Sequence, residues 1–250
     1  MPEILTIKHL SKAYFDKTGI LTAVKDFSLT VQKGEFIALL GPSGCGKSTI
    51  LSIISGLIQQ TDGEVLFADD IKTAYMLQSD QLFNWRTVYK NAILGLEVQN
   101  KLTEENIVRV ENMLKDYGLY EFRNHYPSQL SGGMKQRAAL IRTLALSPDL
   151  LLLDEPFSAL DYQSRLAVSD DILRKIKKEE KTVIMVTHDI SEAISAADRV
   201  VVLTGRPAEI KSIYDIHIPS ETESLIKKRQ TSEFSKYFDL IWKDLDIHVS

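Results

Sequence analysis

Three short runs in this chain are apolar without alternation: "EFIALLG" at 35–41, "DLLLLD" at 149–154 and "TVIMVTHD" at 182–189. A strand with one wet face alternates polar and apolar side chains. Unbroken runs instead require cover on both faces, as in a parallel sheet flanked by helices. The segment "SRLAVSDDILRKIKKEE" between the last two reads as a crossover helix. Each run ends in a chemically loaded residue: Gly41, the Asp154–Glu155 pair, or His188. Ligands of open α/β sheets sit beyond the carboxyl ends of the strands, so the three ends describe one site.

The first end opens "GPSGCGKST" (41–49), which fits the phosphate-loop pattern G-x-x-x-x-G-K-[ST] between a strand and the helix "KSTILSIISGL". Gly41, Gly44 and Gly46 let the backbone wrap closely, so that its N–H groups face phosphate oxygens. Lys47 supplies a point charge for the outer phosphates and Ser48 a hydroxyl for Mg²⁺. The bland alternative is a glycine turn beside a solvated lysine. Cys45, the one cysteine, reads as a small loop residue, excludes an intramolecular disulfide and suits a reducing compartment.

Successive side chains diverge at a strand end, so Asp154 and Glu155 need not share a task. Asp154 is placed to hold Mg²⁺ through its water shell and Glu155 to polarise an attacking water. An acidic helix cap is the alternative. His188 taken alone is a core histidine as readily as a site residue. Gln78, in "YMLQSDQLFNW", reads equally as a polar strand-end residue or a catalytic one. Tyr14 either stacks on an adenine or packs in the N-terminal sheet.

The first seventy residues carry further short β-type runs, "ILTIKHL", "FSLTV" and "GEVLF", whereas 86–146 read as helical. There "TEENIVRVENMLKDYGL" puts Ile107, Val110 and Leu114 on one face, with Thr103 as its cap. A net charge of −4 argues against a nucleic-acid binder working by bulk charge. No apolar run approaches bilayer-spanning length, and "MPEILTIKHLSKAY" has no leader-like pattern. An intracellular chain is expected, with any membrane role supplied by a partner.

A second stretch, "QLSGGMKQR" at 129–137, also looks like an anion-binding helix start. "GPSGCGKST", Gln78, "LSGGMKQR", "LLLLDEP", "SALD" and His188, in that order, resemble the ATP-binding subunits of ABC transporters over about residues 3–205. The resemblance implies an α/β P-loop NTPase fold with a mainly parallel core sheet. An N-terminal antiparallel β subdomain and a helical subdomain at about 86–146 would be added to it. It also answers why one chain has two anion sites. In that family two subunits pack head to tail, so the LSGG of each would reach the nucleotide on the other's glycine loop.

By resemblance, the ATP cradle is Gly41, Pro42, Ser43, Gly44, Cys45, Gly46, Lys47, Ser48 and Thr49, with Tyr14 on the adenine. Ser131, Gly132 and Gly133 would act in trans, and Asp161 would lie on the loop that communicates across the dimer. Glu155 would be the catalytic base and His188 the switch, assisted by Lys47 and Gln78. Ser48, Gln78 and Asp154 would serve Mg²⁺.

"HYPSQLSGGMKQR", "DEPFSALDYQSR" and "GRPAEI" look like the group serving importers of nitrate, sulfonates, taurine and thiamine-type pyrimidines. "LFNWRTVYKN" departs from that group with Asn84 in place of proline and Arg86 after the tryptophan. The segment from Gly63 to Gln78 is also shorter than usual. That region borders the contact with the membrane subunit.

The implied partners are a second ATPase subunit (an identical copy is expected), integral membrane permease subunits and, indirectly, an extracytoplasmic solute-binding protein. Nucleic acid is not among them. The implied location is the cytoplasmic face of the membrane. An exporter or lipoprotein-release complex is the alternative. A soluble ABC ATPase acting on DNA or ribosomes lacks its long coiled coil or second core here, and a small-molecule kinase would not need LSGG.

Residues 206–250 are expected beyond the ATPase domain as a tail. Within it Phe234, Phe238, Ile241, Trp242 and Leu245 fall on one face of an amphipathic helix, docked in preference to membrane-bound, and Lys227, Lys228 and Arg229 form a solvated basic run.

Overall fold

The computed structural model describes residues 2–16, 19–160, 162–219 and 225–245. In chain order, β1 (Glu3–Asp16) and β2 (Gly19–Gln32) lead to β3 (Phe36–Leu40) and α1 (Lys47–Ile54). β4 (Asp62–Phe67) and β5 (Thr73–Met76) precede a helical stretch of α2 (Val88–Ala92), α3 (Leu94–Val98), α4 (Glu104–Asp116) and α5 (Gly132–Leu144). β6 (Leu150–Asp154), α6 (Tyr162–Lys178), β7 (Thr182–Val186), α7 (Ile190–Ala196) and β8 (Arg199–Leu203) then alternate. β9 (Ile210–Asp215), α8 (Leu225–Lys228) and α9 (Ser232–Asp244) follow.

The three unbroken apolar runs are strands whose residues are buried throughout. They lie side by side in a six-stranded sheet of order β5-β6-β7-β3-β8-β9, parallel except for β9. Side-chain alternation sends Phe36, Ala38 and Leu40 of β3 to one face and Ile37 and Leu39 to the other. The first face is covered by α5, α6, α7 and α9 through residues such as Ala139, Ile172, Ala193 and Ile241. The second packs on α1 and on the antiparallel sheet β2-β1-β4 through Ile50, Leu51, Leu10 and Phe27. Each fully buried aliphatic side chain in these layers contributes about 1.5–3 kcal/mol.

Thr103 caps α4 by accepting from the Asn106 amide, and Val110 and Leu114 are buried on the face expected. Asn91 of α2 is fully buried and staples the preceding loop. Its Oδ1 accepts from Phe83 N at 2.8 Å, and its amide nitrogen lies 3.0–3.1 Å from the carbonyls of Phe83, Arg86 and Thr87.

The boundary drawn at 205 cuts through the sheet, because β9 pairs antiparallel with β8 from Arg199↔Asp215 to Leu203↔Ile210. Its alternation, "IKSIYD" with Ile210, Ser212 and Tyr214 turned inward, is that of a half-covered edge strand. The helix after it docks: Phe234 and Ile241 are buried, and Phe238, Trp242 and Leu245 pack on the same core. Asp244 accepts from the hydroxyls of Tyr214 (2.6 Å) and Ser212, which hold its carboxyl below the usual range. The basic run is not wholly solvated, since Arg229 Nε donates to Ser195 Oγ at 3.1 Å and Lys228 is half-buried. Among the described residues no helix is long and apolar enough to cross a membrane.

Ile241→Ala is expected to cost about 2–4 kcal/mol of stability by creating a cavity, whereas exposed Leu240→Ala should stay within about 0.5 kcal/mol. Chemical denaturation of both variants checks the docked face; equal effects would mean α9 is not seated by Ile241.

Candidate functional site

The parallel register fixes the site. Met76 pairs with Leu153, Asp154 with Val186, and Leu39 with Val186 from the other side. The four adjacent strands therefore end level, and the residues just past them, Gln78, Glu155, His188 and Gly41, emerge along one edge. Backbone bonds continue beyond the strands: Glu155 N donates to Val186 O at 2.9 Å and Thr187 N to Leu39 O at 3.3 Å.

At β3 the chain turns through 41–46 into α1. Gly46 has φ 131°, and a Cβ there would lie 2.5 Å from the Ala23 carbonyl oxygen of β2. Only glycine tolerates both the conformation and that approach. Lys47 is buried within the turn, its Nζ donating to the carbonyls of Gly41 (2.7 Å) and Pro42 (2.9 Å). Cys45 is buried in the core below, as a small packing residue.

Gln78 Nε2 lies 3.2 Å and His188 Nδ1 3.4 Å from Glu155 Oε2. Three residues read from three separate strand ends thus meet at one carboxylate. Glu155 has φ 47°, a left-handed conformation that costs a non-glycine residue on the order of 1 kcal/mol. The turn presents its carboxylate to Gln78 and His188.

Asp154 is buried, and its Oδ2 accepts from Tyr75 Oη at 3.2 Å. Its Oδ1 is buried without a partner among the described residues. Burial pushes this carboxyl above its usual range, opposed by hydrogen bonds from the Ser48 and Tyr75 hydroxyls. Burial also pushes the Tyr75 hydroxyl up to about 12, so it remains a donor at neutral pH. A buried carboxylate oxygen with a spare lone pair, beside a serine hydroxyl, fits a hard cation that draws its other ligands from phosphate and water. The described residues contain no cluster of three or more His, Cys, Asp or Glu able to hold a metal by themselves.

Gly46, Lys47, Ser48, Gln78, Glu155 and His188 border a cavity of about 490 Å³, together with Ser43, Gly44, Thr49, Tyr14 and Arg206, whereas Asp154 does not line it. Of the two readings for Tyr14, the half-exposed ring belongs to the cavity rim, with Lys12 Nζ 5.0 Å from its centroid. Arg206 escaped the sequence reading. Its Nε and Nη2 donate to the Gly44 carbonyl at 3.1 and 2.6 Å. The loop carrying it is bonded to β2 through Ala208 N to Ala23 O (2.9 Å) and Lys25 N to Ala208 O (3.0 Å). A guanidinium three residues after the buried strand "VVVL" was the available signal.

Ser131, Gly132 and Gly133 do not border this cavity. Ser131 caps α5 by accepting from Met134 N at 3.3 Å, and it and Gly132 are exposed. Gly133 is buried beneath Leu160, where any side chain would collide. The Gln136 amide contacts Pro156 O, Ser158 Oγ and Ala159 N at 3.0–3.3 Å, tying α5 to the loop after Glu155. Asp161 lies outside the described residues.

Residues 24–158 match a family model described as "ABC transporter". The chain is 43% identical to an uncharacterized ABC transporter ATP-binding protein, YtlC, of Bacillus subtilis (strain 168), covering 97% of this chain and 95% of that one. It is 34% identical to the aliphatic sulfonates import ATP-binding protein SsuB of Bacillus cereus, over 96% and 99%. It is 36% identical to the nitrate import ATP-binding protein NrtD of Synechocystis sp. (strain PCC 6803), over 95% and 93%. Among solved structures, the dimeric post-hydrolysis state of the ATP-binding cassette MJ0796 bound to ADP and Pi superposes with a TM-score of 0.76. It is 31% identical and covers 86% of this chain and 99% of that one.

Gly46→Ala should load the loop with about 1–3 kcal/mol of strain and lower ATP affinity about tenfold or more. Titration with a fluorescent ATP analogue measures this, and an unchanged affinity would show that the approach to Ala23 does not set the loop.

Proposed function

The chain belongs to the ABC transporter family and is an ATP-binding ATPase of that family; from this we propose that it powers a membrane importer for a small anionic or heterocyclic solute. Similarity to sulfonate and nitrate import subunits supports the direction and the solute class. The observation that carries the mechanism is the meeting of Gln78 and His188 on Glu155 above the Lys47 loop.

In this reading the backbone N–H groups of 43–49 and the Lys47 ammonium hold the phosphates, while Tyr14 packs on the adenine and Arg206 braces the loop at Gly44. Glu155 accepts the proton of the attacking water. Gln78 and His188 fix its carboxylate, and His188 contacts the terminal phosphate. Ser48, Asp154 and Gln78 would hold Mg²⁺, which when bound neutralises charge on the phosphate oxygens. Phosphoryl transfer needs positioning and charge neutralisation more than covalent chemistry, and these groups supply both.

The site is completed by a second copy. The exposed Ser131–Gly132 start of α5, off its own cavity, supports its serving the partner's nucleotide, and a solved relative is dimeric. The membrane partner docks on the loop stapled by Asn91. There Phe83 and Trp85 stack with centroids 4.8 Å apart, and Trp85 is 75% exposed. An ordered aromatic pair facing solvent suits a protein contact, and the loop adjoins Gln78 in sequence. The chain works at the cytoplasmic face of the membrane, with a solute-binding protein acting on the far side.

Glu155→Gln should slow hydrolysis about 10²–10³-fold and accumulate an ATP-bound dimer on size exclusion. A variant that turns over normally removes Glu155 as the base. Ser131→Arg should abolish hydrolysis while leaving ATP binding intact; lost binding would assign the LSGG start to its own chain's site.

A further inference from the structure

Beneath the Glu155–His188 contact lies a second, much smaller cavity of about 10 Å³, bordered by Ser158, Arg165, Thr187 and Glu192 as well as by that pair. Its walls contain two buried groups that the proposed chemistry does not use. Glu192, on α7, is 5% exposed. One of its oxygens bonds to the Thr187 hydroxyl, which also accepts from Asp189 N at 3.1 Å, while Asp189 Oδ1 accepts from Glu192 N at 3.0 Å. These three bonds close a ring around residues 187–189 and so fix the backbone from which His188 projects.

Arg165, on α6, performs the matching task on the other side. Its Nη2 donates to Leu160 O at 2.9 Å and lies 3.4 Å from Ser158 O, holding the 158–160 turn. That turn is the one on which the start of α5 rests, through Gln136 and Gly133. Among the described residues, Arg165 Nε and Glu192 Oε1 are each buried without a hydrogen-bond partner. Two unpaired groups of complementary type on one cavity, whose volume is about that of a single water, are not explained by packing.

From this geometry we infer that Arg165 and Glu192 are a positioning pair that keeps His188 in register with the 158–160 turn, and so with the start of α5. The pair belongs to neither the glycine loop nor the LSGG stretch, and it connects the cavity side of the chain with the side offered to a second copy. Burial pushes the Glu192 carboxyl up to about 7; the Thr187 bond and the positive charges of Arg165 and Arg229 act against this, and Asp189 adds to it.

The inference rests on the reading of His188 as the residue that meets the terminal phosphate. The test is a double-mutant cycle in the full chain, with Arg165→Ala, Glu192→Gln and both together, reading kcat and ATP affinity separately. Each single change should lower kcat about five- to thirtyfold with affinity nearly unchanged, and the double variant should be no slower than the worse single. Arg165→Lys, which retains the charge, should recover part of the rate and serves if Arg165→Ala does not fold. Multiplying effects, or losses that fall on affinity instead of kcat, would overturn the pair. His188→Ala is the control: if it hydrolyses ATP normally, the assignment of His188 fails, whatever the cycle shows.

Discussion

The parallel register of β5, β6, β7 and β3 is the constraint on which the rest of the structure depends. Because these strands pair residue for residue and run in one direction, their ends fall at one level. Side chains as distant in sequence as Gln78 and Glu155 are then within 3.2 Å. The register is itself protected by burial on both faces, since a one-residue slip would exchange the sets of side chains facing the two packed layers. The helices on one side and the antiparallel sheet on the other are, in this sense, the means of keeping four strand ends aligned.

Charge in the site follows from the same arrangement. The Lys47 ammonium is held by the loop carbonyls of Gly41 and Pro42, and its charge acts on the nearby Asp154 carboxyl. Asp154 is kept from water by the strands beside it and retains an unpaired oxygen, which makes it a strong acceptor for a cation. Glu155, one residue on, is turned out by its left-handed backbone into company that bonds to its carboxylate. Neighbouring acids thus acquire different surroundings from a single backbone torsion.

How much of this was legible in the sequence depended on whether the determining interaction was local. The glycine loop, the three buried strands, the Thr103 cap and the apolar face of α9 are each specified by residues close in sequence, and the structure has all of them. The meeting of Gln78, Glu155 and His188 was legible only through the rule that ligands gather at strand ends. β9 was obscured because a half-covered edge strand has weak alternation. Arg206 on Gly44, Arg229 on Ser195, and Arg165 sharing a cavity wall with Glu192 have sequence separations that no window captures. The torsion of Glu155 is set by strand pairing and leaves no mark in the residue type.

The Asn91 staple has an optical corollary. The chain contains two tryptophans, and they stand in opposite surroundings. Trp242 is partly buried on the core and stacks on Phe238 at 5.9 Å, whereas Trp85 stands out on a loop whose backbone is pinned by four contacts from one side chain. Aqueous quenchers therefore reach one indole far more readily than the other, and a surface that settles over the 83–87 loop dims or shifts that emission while leaving the second as an internal standard. The molecule carries its own lamp at the place where a membrane subunit is expected to touch it.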